Sequence, residues 1–314
     1  MPDFSSVGNA MTGVLTLLIL IAVGFFFAKR GTFDAHSEEV ITRLASKIAI
    51  PALMFINAID NVSLEFFGEM GLWILLPAVV MIVMILLGMG LAQLLKLKGR
   101  GLFVVLFAFP NTLFIGLPVT LAIFGDAGIP YVMCAYLCNT LLYWTVAIAL
   151  LKSDAGQRFK LGFGTIKQVF TVPLFAFILG SVCKMIGLIP PVFLIDALRH
   201  AANMTIPLTL ILTGIILASM TPQMLKLDRA GVLVLVGRLM IAPALSLLLT
   251  VLLGAPTLMQ GVYAVQAAMP VMIQSLLSAR EIGANYTFAA QMLAVSTVAS
   301  IVFIPLLMFV MAFI

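Results

Sequence analysis

Asn111 and Thr112 lie beside a proline in the middle of an apolar run, Ala108-Phe109-Pro110-Asn111-Thr112-Leu113-Phe114-Ile115-Gly116-Leu117-Pro118. The flanks from 101 to 125 make this run long enough to cross a bilayer as a helix. Pro110 and Pro118 remove backbone donors, however, and Gly116 lets another segment approach closely. In hydrocarbon the freed backbone groups need protein, water or ligand partners, so such a break belongs where a helix is buried or lines a cavity. An amide, a hydroxyl and unpaired N–H groups together can bind an anion, a carboxylate above all.

The run 257–279 has the same character, with Gln266, Pro270, Gln274 and Ser275 among apolar residues. Arg238 stands well inside the run that ends near 254. A cation at that depth needs a partner or an aqueous path, and a dianion could pair with its planar fork. The candidate substrate contacts are therefore Asn111, Thr112, Gly116, Arg238, Gln266, Gln274 and Ser275, with Pro110, Pro118 and Pro270 as helix-breaking residues. Plainer roles compete with these. Asn111 can cap a half-helix, Thr112 can bond its own helix, and Arg238 can snorkel or bind helix-end carbonyls. Lys47 and Arg43 can guide anions into a vestibule or simply anchor the chain at the interface.

The elements that must position these residues are membrane helices. Hydrophobic residues make up 63% of the 314 residues and charged ones 9%, which excludes an ordinary soluble domain. The mean hydropathy is +1.23. The net charge of +5 sits in short turns between apolar runs with no aromatic binding surface beside it, so nucleic acid is not a partner; the lipid bilayer is. The pattern predicts an all-α polytopic membrane protein with ten transmembrane helices: 8–28, 37–59, 70–95, 101–125, 130–151, 168–185, 195–219, a stretch after Arg229 ending near 254, 257–279 and 285–314. The connections after the first, third, fifth, seventh and ninth spans carry 14 of the 17 Lys and Arg residues, which places both termini on the non-cytoplasmic side. Only Asp3 precedes the first run, with no basic stretch or cleavage signal, so that run reads as a span rather than a signal peptide. Cys134, Cys138 and Cys183 read as buried thiols, and no metal set or cofactor motif is visible. His36 and His200 form no constellation with a nucleophile, so the chain does not read as an enzyme. Asp60, Glu65 and Glu69 read as a solvated acidic face.

Sliding the sequence over itself by 156 residues aligns Gly24 with Gly180, Arg43 with Arg199 and Pro51 with Pro207. A duplication places the first five-span repeat in 1–153 and the second in 154–314. An odd number of spans per half inverts the second copy, so the broken fourth and ninth helices are expected to cross at a shared centre. Two opposed halves can open such a centre to alternate sides.

The segment Pro110-Asn111-Thr112-Leu113-Phe114-Ile115-Gly116-Leu117-Pro118 resembles the auxin efflux carrier family, in particular its bacterial members described as malate or malonate permeases. More distantly the chain resembles the sodium-coupled bile-acid transporters, although its fourth and ninth spans lack the Asp and Glu of their cation sites. The resemblance implies two inverted repeats with crossed broken helices 4 and 9. It also implies a homodimer, with a scaffold domain of spans 1, 2, 6 and 7 and a transport domain of spans 3, 4, 5, 8, 9 and 10. The implied function is secondary transport of a small organic anion across a bacterial cytoplasmic (inner) membrane, with a dicarboxylate such as malonate or malate first and an auxin-like or other monocarboxylate as alternative. A membrane sensor or anion-binding module on the same scaffold is the reading from a different class. The coupling ion, proton or sodium, is left open by the sequence.

Overall fold

Short turns between apolar runs join helices throughout the computed structural model, which describes residues 4–61, 68, 71–158, 162–188, 190–219, 221, 224 and 226–311. Glu65 and Glu69 of the expected acidic face, and Lys160 among the orienting basic residues, lie outside the described residues. In chain order the helices are α1 (Phe4–Lys29), α2 (Ala35–Leu44), α3 (Ile50–Asn61), α4 (Leu76–Leu94), α5 (Arg100–Ala108) and α6 (Leu117–Phe124). Then follow α7 (Ile129–Leu142), α8 (Ile148–Asp154), α9 (Phe163–Val169), α10 (Val172–Met185), α11 (Val192–Asn203) and α12 (Thr205–Ala218). The chain continues with α13 (Arg229–Val236), α14 (Ala242–Leu252), α15 (Thr257–Ala267), α16 (Ile273–Ile282) and α17 (Tyr286–Met311).

This all-α architecture corrects the expected span count. Among the described residues, five helices are long and apolar enough to cross a membrane: Trp73–Leu94, Asp126–Asp154, Val192–Ala218, Arg229–Leu252 and Tyr286–Met311. The ten-helix expectation, and with it five spans to each half, is overturned for a local reason. The runs at 101–125 and 257–279 are cut at their prolines into pieces of 9, 8, 11 and 10 residues, and α10 has only 14. Five is odd, so counting those helices puts the chain ends on opposite faces. The expectation that both termini face the non-cytoplasmic side is overturned with the count.

Helix boundaries follow from cap chemistry. Asp34 accepts from the Ser37 N–H at 2.8 Å and starts α2 with a capping box. The same bond, with the Ser37 hydroxyl, holds the exposed Asp34 carboxyl below the usual range. The start of α5 is capped from another helix. The Gly101 and Leu102 N–H groups donate to the two carboxylate oxygens of Asp154, at 3.0 and 2.8 Å. That bidentate acceptor satisfies two orphan donors and answers the positive end of the helix dipole. α5 stops where Pro110 forces Phe109 into extended backbone (φ −99, ψ 113).

Because lipid is as apolar as a leucine side chain, close packing and hydrogen bonds decide how these helices associate. α1 meets α12 through Gly24 and Gly214; a Cβ on Gly24 would overlap the Ile211 carbonyl, and one on Gly214 the Ile21 carbonyl. α10 meets α3 through Gly180, where a Cβ would fall 2.6 Å from the Phe55 carbonyl oxygen. α5 is buried from Gly101 to Ala108, enclosed by α4, α8 and α13. Phe103 stacks on Phe107 at 5.7 Å between ring centroids, and Phe109 meets Tyr143 edge to face at 5.6 Å. At the chain surface, Arg199 binds both carboxylate oxygens of Asp60 at 3.1 and 2.9 Å, so this member of the expected acidic face ties α11 to the end of α3. Arg43 pairs with Glu39 along α2.

Candidate functional site

The interruption after α5 and the one after α15 lie against each other. Pro110 and Val271 form an isolated antiparallel bridge, and the Asn111 N–H donates to the Pro270 carbonyl at 2.8 Å. Helix-breaking residues would leave backbone groups unpaired in hydrocarbon, and here protein takes them up. The Val271 N–H donates to the Ser296 hydroxyl of α17 at 3.0 Å. The Asn139 amide of α7 donates to the Pro110 carbonyl at 2.9 Å and to the Thr112 hydroxyl at 3.2 Å.

Arg238 sits in a π turn, Gly237–Ile241, between α13 and α14. Its side chain is buried, with 1% of the residue exposed. Nη1 donates to the Ala108 carbonyl at 2.8 Å and Nη2 to the Ala267 carbonyl at 2.6 Å. Nε and Nη2 reach the Met269 carbonyl at 3.3 and 3.2 Å, and Nη1 reaches that of Phe107 at 3.5 Å. These carbonyls end α5 and α15 or follow directly on them. One guanidinium therefore bridges the C-terminal ends of the two leading half-helices.

The N-terminal ends of the trailing half-helices face a different space. A cavity of about 390 Å³ is walled by Asn111 and Thr112 on one break, by Met272, Ile273 and Gln274 on the other, and by Lys47. The first N–H groups of α16 have no partner within the helix, and its N-cap Met272 supplies no side-chain bond. Asn111 caps the turn Thr112–Gly116 that leads into α6, its Oδ1 accepting from the Phe114 N–H at 3.3 Å. Asn111 is 2% exposed, and among the described residues its Nδ2 has no hydrogen-bond partner. Across the paired breaks lies a much narrower space of about 20 Å³, bounded by Pro110, Thr112, Arg238, Ser246, Tyr263 and Gln266 among others. Among the described residues no Asp or Glu lines either space, so none of them opposes an anion there.

The structure divides the sequence-derived candidates between these spaces. Asn111 and Gln274 line the wide cavity, Arg238 and Gln266 the narrow one, and Thr112 both. Ser275 is buried and lines neither. Gly116 is a packing contact, since a Cβ there would overlap the Gln266 carboxamide. Gln266 Nε2 donates to the Thr120 hydroxyl at 2.9 Å. Pro110 and Pro270 stand in the breaks, whereas Pro118 lies within the continuous helical stretch Thr112–Phe124, where the π turn passes into α6. Sequence reasoning passed over Asn139, which lies wholly buried in α7; an amide inside an apolar run was the available signal, because it must find partners. Thr120 and Ser246 were passed over too.

Residues 9–308 match the family described as membrane transport protein. The chain is 28% identical over 282 residues to an uncharacterised transporter of Methanocaldococcus jannaschii, covering 85% of this chain and 87% of that protein. It is 26% identical over 301 residues to an uncharacterised transporter of Methanothermobacter thermautotrophicus, covering 93% and 95%.

Proposed function

Because the chain belongs to the membrane transport protein family, we propose that it carries small organic carboxylates across the bilayer by alternating access around the paired helix breaks. It is a polytopic membrane transporter of the superfamily that includes the auxin efflux carriers, and not an enzyme. The observation that carries the carboxylate reading is the wall of the wide cavity. There the uncapped start of α16, the capped turn before α6 and the Lys47 side chain face one volume, with no carboxylate among the described lining residues. Helix N-termini and an ammonium group favour negative charge. A dicarboxylate such as malonate or malate uses two of these donors at once, with Asn111, Thr112 and Gln274 bonding its oxygens. In this reading Gln266, Gly116 and Ser275 support the wall from behind.

One observation favours a second reading, a monocarboxylate with an apolar body. Phe114, Tyr136, Trp144 and Phe170 also line the cavity, and Lys47 is the one cationic side chain among the described lining residues. We take the moving part to be the two breaks with α4, α7, α13, α14 and α17, sliding against a scaffold of α1, α3, α10 and α12 that a second copy completes as a homodimer. The test is counterflow in proteoliposomes with a panel of mono- and dicarboxylates, imposing proton and sodium gradients separately. Saturable exchange of malonate or malate supports the first reading and exchange of an aryl carboxylate alone the second. Saturable binding without flux would assign the protein to the sensors, and no binding by any member of the panel removes the carboxylate assignment.

A further inference from the structure

We propose that Arg238 is a positioning residue that clamps the two breaks together and cancels the negative ends of α5 and α15, so that the positive ends of the trailing half-helices dominate the field in the wide cavity. The second half of this proposal rests on the carboxylate reading above; the clamp does not.

Proline breaks free carbonyls at the ends of α5 and α15, and the helix dipole concentrates about half a negative charge at each end. Left alone, two such ends beside the centre would oppose any anion bound across the bridge. Arg238 brings one full positive charge and a planar set of five N–H donors to that place. Its Nη1 holds Ala108, its Nη2 holds Ala267 and its Nε shares Met269, so each break is gripped by the same rigid group. The approach is tight. Gly237, the preceding residue, lies against the Phe107 ring where a Cβ would overlap it, which seats the π turn on the end of α5. Lysine has the charge but not the fork, and methionine has neither.

The dissociation of geometry from charge gives the test. In anion-free protein in detergent, hydrogen exchange at the Asn111 amide, bonded across the bridge, and at the neighbouring Val271 amide reports the clamp. Arg238→Met and Arg238→Lys are both expected to speed this exchange at least tenfold over the parent, with peptides from α1 and α12 unchanged. Malonate and benzoate serve as probes of the field. Arg238→Met is expected to weaken their binding at least tenfold, and Arg238→Lys to recover most of that loss while exchange stays fast. Exchange at parental rates in both anion-free variants overturns the clamp, as does a difference that appears only when malonate is present, which would mark direct ligand contact. If Arg238→Met yields no folded protein, Arg238→Lys decides by the same measurement. Faster exchange in variants of a parent that binds neither anion keeps the clamp and removes the carboxylate reading.

Discussion

At Asn111 the two ends of one amide have different surroundings. Its Oδ1 caps the turn into α6, and its Nδ2 is left without a partner in the described residues. A buried donor is costly to leave unpaired, and the proposed function gives this one a carboxylate oxygen to bind. Asn111→Ala is expected to cut the counterflow rate at least tenfold, a loss of about 1.4 kcal/mol or more of transition-state or binding stabilisation, while thermal unfolding stays close to the parent. Equal unfolding with unchanged counterflow would reduce Asn111 to a cap. Gly116 and Gln266 form a second residue-scale pair. Gly116→Ala crowds the carboxamide and is expected to destabilise by about 1–3 kcal/mol, and Gln266→Ala in the same chain to relieve part of it. Additive losses in a double-mutant cycle would show that the two do not couple. The amide of Asn139 within an apolar run is legible in the sequence, but its partners are not, because Pro110 and Thr112 lie 29 and 27 residues away and are brought to it only by the fold.

Among the helices, α5 depends most on its neighbours. Nine residues are too few for a helix stable alone in water, and its stability comes from enclosure and from the Asp154 carboxylate at its start. Asp154→Asn keeps the shape but removes the charge and one of the two acceptors. The expected cost is about 1 kcal/mol, read as faster exchange over 101–104 and a lower melting temperature in detergent. Unchanged exchange there would mean that packing alone orders the helix start. The helix breaks were legible from Pro110 and Pro270, since proline acts locally on its own backbone. The π turns at Ala45–Ala49, Thr112–Gly116, Tyr143–Ala147 and Gly237–Ile241 were not. A π turn inserts one residue into a helix without a residue type that demands it, and tertiary contacts select it. The stretch expected as a span at 37–59 consists of α2, a π turn and α3, carries Glu38, Glu39, Arg43 and Lys47 in its first half, and is not one of the long apolar helices among the described residues.

Across the whole molecule the two spaces beside the bridge are unequal, about 390 against 20 Å³. The wide cavity is walled by Thr42, Ser46 and Lys47 on one side and by Gln168, Phe170 and Thr171 on another, and we take this wall, which carries Lys47, to face the cytoplasm. Ser46→Cys, on that wall, is expected to react with a membrane-impermeant maleimide from the cytoplasmic side and to be slowed by a bound substrate. Cys134, Cys138 and Cys183 are buried, which keeps background low. Reaction from the opposite side alone would reverse the assigned face. The packing also bears on the duplication suggested by the 156-residue offset. Gly24 meets Ile211 while Gly180 meets Phe55, and Phe55 and Ile211 are separated by that same offset, so one helix contact occurs twice with its partners exchanged. The sequence by itself determined that the chain is a helical membrane protein and where two of its helices must break, because composition and proline act through local chemistry. Only the tertiary structure decided how many helices are long enough to cross, which breaks meet, and that Arg238 faces carbonyls. Those outcomes depend on which distant segments supply the hydrogen bonds that a broken helix in hydrocarbon cannot supply for itself.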